Sequence, residues 1–151
     1  MDHPVGPVEW VISDAPADPS HARSIRRALA QWLTATVFDD HARRDITLAV
    51  YEALANAVEH AYVRHPNTGT MTARAAYSHT RGVLQVSVTD HGRWRPSTPA
   101  STPMRGNGIL LMNALSEDTS IDHTEEGTTV VMSFPVAVAP PFTSSVNEPL
   151  S

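Results

Sequence analysis

Residues Gly82–Gly92 read GVLQVSVTDHG, and the alternation within this stretch decides the fold class. Leu84, Val86 and Val88 fall on one face of an extended chain, with Gln85, Ser87 and Thr89 on the other. Asp90 keeps the phase of the apolar set, so a strand that runs this far turns its carboxylate into the core. A buried carboxylate without a donor is costly enough to shift its titration or to destabilise the fold. It therefore needs N–H groups, and the exocyclic amine of a purine would serve. Gly92, two residues on, would let backbone approach a flat ring. The stretch TTVVMSF (Thr128–Phe134) repeats the pattern. Thr128 is in phase with Val130, Met132 and Phe134, so a second polar group enters the same side of the sheet. The plain alternative is that Asp90 and Thr128 satisfy each other or a helix terminus.

Working outward, VEWVIS (Val8–Ser13) reads as a short strand. Pro19 to about Val37 is helical, with Ile25, Leu29, Trp32 and Leu33 on one face and arginines opposite. Asp39 or Asp40 caps a second helix that runs to about Val63, its apolar side being Ile46, Ala49, Val50, Ala53 and Ala57. HPNTG (His65–Gly69) is a turn. Strands follow at Thr70–Tyr77 and Val83–Thr89, joined as a hairpin by SHTRG. Residues 93–104 hold three prolines and several hydroxyls and read as a mobile loop. GNGILLMNALSE (Gly106–Glu117) is a glycine-led helix, followed by TSIDHT, the turn EEG and the strand TTVVMSF. This order predicts an α/β two-layer sandwich: a mixed, mainly antiparallel sheet with helices on one face. One domain over residues 1–135 and a proline-rich, disordered tail over 136–151 are expected.

The composition narrows the chemistry. At 151 residues, with 41% hydrophobic and 18% charged content, the chain has the make-up of a globular domain. A net charge of −5 argues against nucleic acid as the main partner, since no basic stripe is available to neutralise phosphates. No apolar run approaches a membrane span, and no signal peptide opens the chain, so a cytoplasmic protein is expected. With no cysteine, thiolate nucleophiles, thiolate metal sites and disulfides are excluded. All 11 basic residues are arginine, which rules out a Walker-type phosphate loop, a protein-kinase strand lysine and a Schiff base.

Two further segments suggest a site. In YEALANAVEHAY (Tyr51–Tyr62), Glu52, Asn56 and His60 recur every fourth position along one helix side. Asn56 can offer an amide oxygen to Mg²⁺, an ion that takes few protein ligands and fills its shell with phosphate oxygens and water. Glu52, one turn away, can accept a proton from an attacking hydroxyl. His60 reads as structural and Glu59 as solvated. In MRGNGILLM (Met104–Met112), Gly106 and Gly108 lead a helix whose first amides are unpaired and positively polarised, a phosphate site that Arg105 would strengthen.

These pieces, in this order, resemble the GHKL superfamily of ATPases and kinases over roughly residues 8–135. EALANAVEHAY looks like the N box, DHG the first glycine box, RGNGILLM the second and EEGTTV the third. The compact form is most similar to the bacterial anti-sigma factor serine/threonine kinases of the RsbW and SpoIIAB type. That resemblance implies binding of ATP with Mg²⁺, sequestration of a sigma factor, phosphorylation of an anti-anti-sigma partner, and a homodimer. It implies Glu52 as catalytic base, Asn56 as magnesium ligand, and Asp90 with Gly92 at the adenine. Arg105, Gly106, Asn107, Gly108 and Ile109 would surround the phosphates, and Thr128 would bring a hydroxyl near the adenine. Two other readings remain. One is a nucleotide-binding switch that transfers nothing. The other is a histidine kinase catalytic domain, for which the chain has no room for a phosphoacceptor helix pair.

Overall fold

The computed structural model describes residues 8–37, 39–64, 69–91, 106–124 and 127–136, with the backbone alone at 60–64 and 106–110. The chain order is β1 (Val8–Pro16), α1 (Pro19–Thr36), α2 (Asp40–Arg64), β2 (Thr70–Ser78), β3 (Val83–His91), α3 (Gly106–Leu115), β4 (Asp118–Thr124) and β5 (Gly127–Pro135). The strands form a five-stranded sheet in the order β1-β2-β3-β5-β4. Every ladder among the described strands is antiparallel, so the sheet is uniform where a mixed, mainly antiparallel one was expected.

The sheet presents its apolar face to the helices. Leu84, Val86 and Val88 of β3 are buried together with Val130, Met132 and Phe134 of β5 and Met71, Ala73 and Ala75 of β2. The opposite face is polar: Thr89 and Thr129 pair across it with their hydroxyl oxygens 3.1 Å apart. Gln85 is exposed there. α2 is the central helix, packed on β3, β2 and β5, with α1 on one side and α3 on the other.

The helices form where spacing puts them, and their ends are chemically marked. Asp18 takes an extended conformation before Pro19, and its carboxylate accepts the His21 amide proton at 2.7 Å. That is an N-cap followed by proline at the first helical position, where no N–H is missed. Ala22, Ile25, Leu29 and Leu33 line the buried face of α1. Trp32 is half-buried and meets Trp10 of β1, ring centroids 6.3 Å apart. At the start of α2, the Asp39 carboxylate accepts the His41 amide at 3.1 Å, so Asp39 rather than Asp40 caps the helix. Ile46, Ala49, Val50, Ala53, Leu54 and Ala57 are its buried residues. The small alanines let α2 lie close to the sheet, and Asn56 beside them shares a cleft with Asp90 of β3.

Strand β1 exceeds the sequence reading, and the expected β2–β3 hairpin is present. β1 continues past Ser13 to Pro16 through a bulge between Ile12 and Ala15. Asp14 sits in the bulge at φ 53°, a region that aspartate tolerates better than most residues, and its amide donates to the Thr72 hydroxyl at 3.0 Å. The β2–β3 hairpin closes at residues 79–82, with Gly82 at φ +66° and its amide donating to the Ser78 carbonyl at 2.8 Å. Val136, just past β5, is tied back to this turn: its amide donates to the Gly82 carbonyl at 3.1 Å, and the Tyr77 hydroxyl donates to its carbonyl at 2.9 Å. The expected turn at 65–68, the loop 93–104 and the tail from 137 lie outside the described residues.

Candidate functional site

β3 does run as far as Asp90. Its carboxylate lies on the helix side of the sheet and only 4% of the residue is exposed, as for Thr128. Asp90 pairs with Met71 on β2 and with Thr128 on β5. The Thr128 amide donates to Asp90 Oδ1 at 3.3 Å. One part of the plain alternative therefore holds, through the backbone and not through the Thr128 hydroxyl. That hydroxyl instead meets Nδ1 of His123 on β4 at 3.0 Å. His123 and Thr128 are themselves register partners, so Met71, Asp90, Thr128 and His123 form one row across four strands.

Above this row lies a cleft of about 60 Å³ floored by Asp90, Thr128 and Val130, with Ile121 and His123 on one flank. α2 closes the other side with Ala53, Asn56 and Ala57. The structure thus brings Asn56, from the helix, to the same cleft as the inward carboxylate and the Thr128 hydroxyl. Glu52 is half-buried one turn earlier on α2 and is not among the residues lining this cleft. Glu59 is half-buried, where solvent exposure was expected. The backbone at Gly106, Asn107, Gly108 and Ile109 forms the first turn of α3, which packs against α2. Gly92 and Arg105 lie outside the described residues, as does the side chain of His60.

A larger hollow of about 620 Å³ opens between α1 and α2, lined by Arg26, Arg43, Arg44, Leu48 and Tyr51 among others. Two of its arginines have partners: Arg43 pairs with Asp40, and the Arg26 guanidinium lies 5.4 Å from the centre of the Tyr51 ring. Size alone would favour this hollow. Of the two, it is the smaller cleft that combines a buried carboxylate, a buried hydroxyl and a helix amide, the convergence of polar groups in an apolar setting that marks ligand sites.

Two residues that sequence reasoning passed over help to build the cleft. One is His123, just described. The other is Gly127, at φ +152°, where a Cβ would overlap the Asp90 carbonyl oxygen and come within 3.2 Å of Asp90 Oδ1. Only glycine lets β5 start this close to β3 and still present the Thr128 amide to the carboxylate. The clue was present in EEGTTV, where the glycine reads as a turn residue and its contact with Asp90, 37 positions away, is not visible. Among the described residues no cluster of three or more His, Cys, Asp or Glu side chains could hold a metal on protein ligands alone. None of the described helices is long and apolar enough to cross a membrane.

Known proteins share this sequence pattern and this fold. The profile of the histidine kinase-like ATPase domain family matches residues 15–134. The chain is 28% identical over 138 residues to a serine-protein kinase RsbW of Bacillus licheniformis, covering 82% of this chain and 84% of that one. An RsbW of Bacillus velezensis is 28% identical over 139 residues, covering 83% and 84%. Among solved structures, the RsbU and RsbW domains of a Mycobacterium tuberculosis protein superpose with a TM-score of 0.65 at 28% identity. That match covers 91% of this chain but 34% of the mycobacterial one. A blue-light activated histidine kinase of Erythrobacter litoralis gives a TM-score of 0.52 at 26% identity, over 64% of this chain and 31% of that one. The chain therefore spans about a third of each of these longer proteins. A family match over residues 15–134, on a sheet whose inward Asp90 shares a cleft with Asn56 of α2, identifies this chain as a member of the histidine kinase-like ATPase domain family.

Proposed function

We propose that this protein is an ATP-dependent serine/threonine protein kinase that phosphorylates an anti-anti-sigma partner and, in its other role, sequesters a sigma factor. The observation that carries the reading is the burial of Asp90 on the floor of a cleft that Asn56 also lines. The similarity to RsbW serine-protein kinases supports the choice of reaction.

In this reading adenine enters edge-on, its exocyclic amine donating to Asp90 while Thr128 meets the ring beside it. A cleft of about 60 Å³ accepts the edge of a base. The triphosphate runs toward the first turn of α3, where the Gly106–Gly108 amides and Arg105 bind its oxygens. The donor set at Asn56 suits Mg²⁺: a neutral amide oxygen with no competing carboxylate cluster among the described residues leaves room for phosphate and water ligands. When bound, the ion would neutralise charge on the phosphates. Glu52 takes the proton of the partner's hydroxyl as that oxygen bonds to the γ-phosphorus and the bond to ADP breaks. Most of the rate gain comes from positioning and charge stabilisation, as is usual for phosphoryl transfer. The enzyme works in the cytoplasm as a homodimer, away from membranes and nucleic acid.

The test is incubation of the purified protein with Mg²⁺, γ-labelled ATP and a candidate anti-anti-sigma protein, followed by mass spectrometry of that partner. A phosphorylated serine or threonine is expected, lost in Glu52→Ala while nucleotide binding persists. ATP binding with no modification of any such partner would favour the non-catalytic switch instead.

A further inference from the structure

We propose that His123 is a positioning residue for the base: its imidazole Nδ1, 3.0 Å from the Thr128 hydroxyl, sets which way that hydroxyl faces in the cleft. The inference rests on the nucleotide reading above and names a residue which that reading does not use.

The Thr128 side chain lies in a residue only 4% exposed, so its hydroxyl needs partners within the protein or the ligand. Its backbone amide is directed at Asp90 Oδ1, which leaves the hydroxyl as the group turned to the cleft. A hydroxyl has one hydrogen to donate and two lone pairs to accept with. An imidazole nitrogen can occupy either role. If Nδ1 carries hydrogen it donates to Thr128 Oγ1, and the hydroxyl hydrogen is released toward the cleft. If Nδ1 is bare it accepts that hydrogen, and only lone pairs face the ligand. Which state prevails decides what chemistry the cleft recognises.

Asp90 already supplies the acceptor for an exocyclic amine. On adenine the ring nitrogen beside that amine is itself an acceptor, so the matching hydroxyl is one that donates. The geometry therefore calls for His123 with hydrogen on Nδ1 when an adenine nucleotide is bound. His123 is well placed for this. It stands on the edge strand β4, faces the cleft beside Ile121, and is held opposite Thr128 by the β4–β5 ladder. As an exposed residue outside the apolar core, it can be changed without opening a cavity.

The experiment is titration of the full chain with a fluorescent ATP analogue, run for the wild type and for His123→Ala, His123→Asn, His123→Gln, Thr128→Val and the His123→Ala/Thr128→Val double variant. Removing one neutral hydrogen bond should weaken affinity about three- to tenfold in His123→Ala. Competition by inorganic tripolyphosphate, which lacks a base, should not change. Asparagine places its amide where Nδ1 stands and should restore affinity; glutamine reaches further and should not. In the Thr128→Val background the alanine substitution should have no further effect. Nitrogen-15 spectra of the complex should show hydrogen on Nδ1. The inference is overturned if His123→Ala binds like wild type, if the two single losses simply add, or if Nδ1 is bare in the complex. Failure of the wild type itself to bind ATP overturns the nucleotide reading as well, and is seen before any variant is measured.

Discussion

Asp90 and Thr128 stand opposite each other on β3 and β5, and the Thr128 amide donates to the Asp90 carboxylate at 3.3 Å. This contact lies at the end of the β3–β5 ladder and ties together the two polar residues on the floor of the candidate base site. It also holds one carboxylate oxygen in place while the cleft lies along the same face of the sheet. Orientation of this kind lets a side chain discriminate between ligands, because its rotamer is set before binding and no ordering cost falls on the complex.

Asp90→Asn tests that role without changing shape. The asparagine oxygen can still accept the Thr128 amide, but an NH₂ group then faces the exocyclic amine. Loss of a charge-assisted hydrogen bond should lower ATP affinity roughly ten- to a hundredfold, with little change in melting temperature. Calorimetric titration checks it; undiminished binding would remove Asp90 from the site.

Gly127→Ala should damage both fold and site. At φ +152° the added Cβ would overlap the Asp90 carbonyl oxygen, so β5 must shift away from β3. A cost on the order of 1–3 kcal/mol is expected in urea unfolding, together with weakened nucleotide binding. Gly82→Ala is the comparison, since the nearest atom to its Cβ is the Tyr77 hydroxyl oxygen at 4.0 Å. It should carry only backbone strain of about 1–2 kcal/mol and leave binding intact.

Leu84→Ala removes a fully buried side chain from the central strand. The transfer loss and the residual cavity together should destabilise the domain by about 2–5 kcal/mol, a large part of the total stability of a domain this size. Chemical denaturation with an unchanged m-value would show that stability alone has fallen.

Asp18 gives the stability a pH dependence. The His21 backbone N–H, and then its ring, donate to the carboxylate and hold its pKa below the ordinary value of 3.8. A group with a lowered folded pKa stabilises the protein above its unfolded value, and that contribution is lost as pH falls through the folded one. Asp18→Ala should therefore cost about 1 kcal/mol near neutral pH. The gap between wild type and variant should narrow once acid has protonated the cap. Urea midpoints measured across the acid range check both the size and the sign.

Much of this architecture is legible along the chain because its signals are local. The period-two pattern of Val83–Thr89 and the helical spacing of Ile25, Leu29 and Leu33 each depend on neighbours a few residues apart. Burial at Leu84, Val86, Val88, Ile25, Leu29 and Leu33 follows from that alone, while Trp32 on the same helix face is half-buried. The same phase argument turned Asp90 inward before any partner strand was known. It stopped β1 too early, because a bulge inserts residues and breaks the alternation that reveals the strand.

What alternation could not supply was the identity of the residue across each ladder. Thr128 reaches Asp90 through its amide, His123 takes the Thr128 hydroxyl, and Gly127 clears the Asp90 carbonyl only because β5 lies between β3 and β4. Side-chain direction along a strand or helix is fixed by backbone geometry that each residue carries with it, so the sequence by itself determined which faces are apolar and which polar groups point inward. Register and strand order come from the packing of the whole sheet against α2, and only the tertiary structure decided which of those inward groups meet.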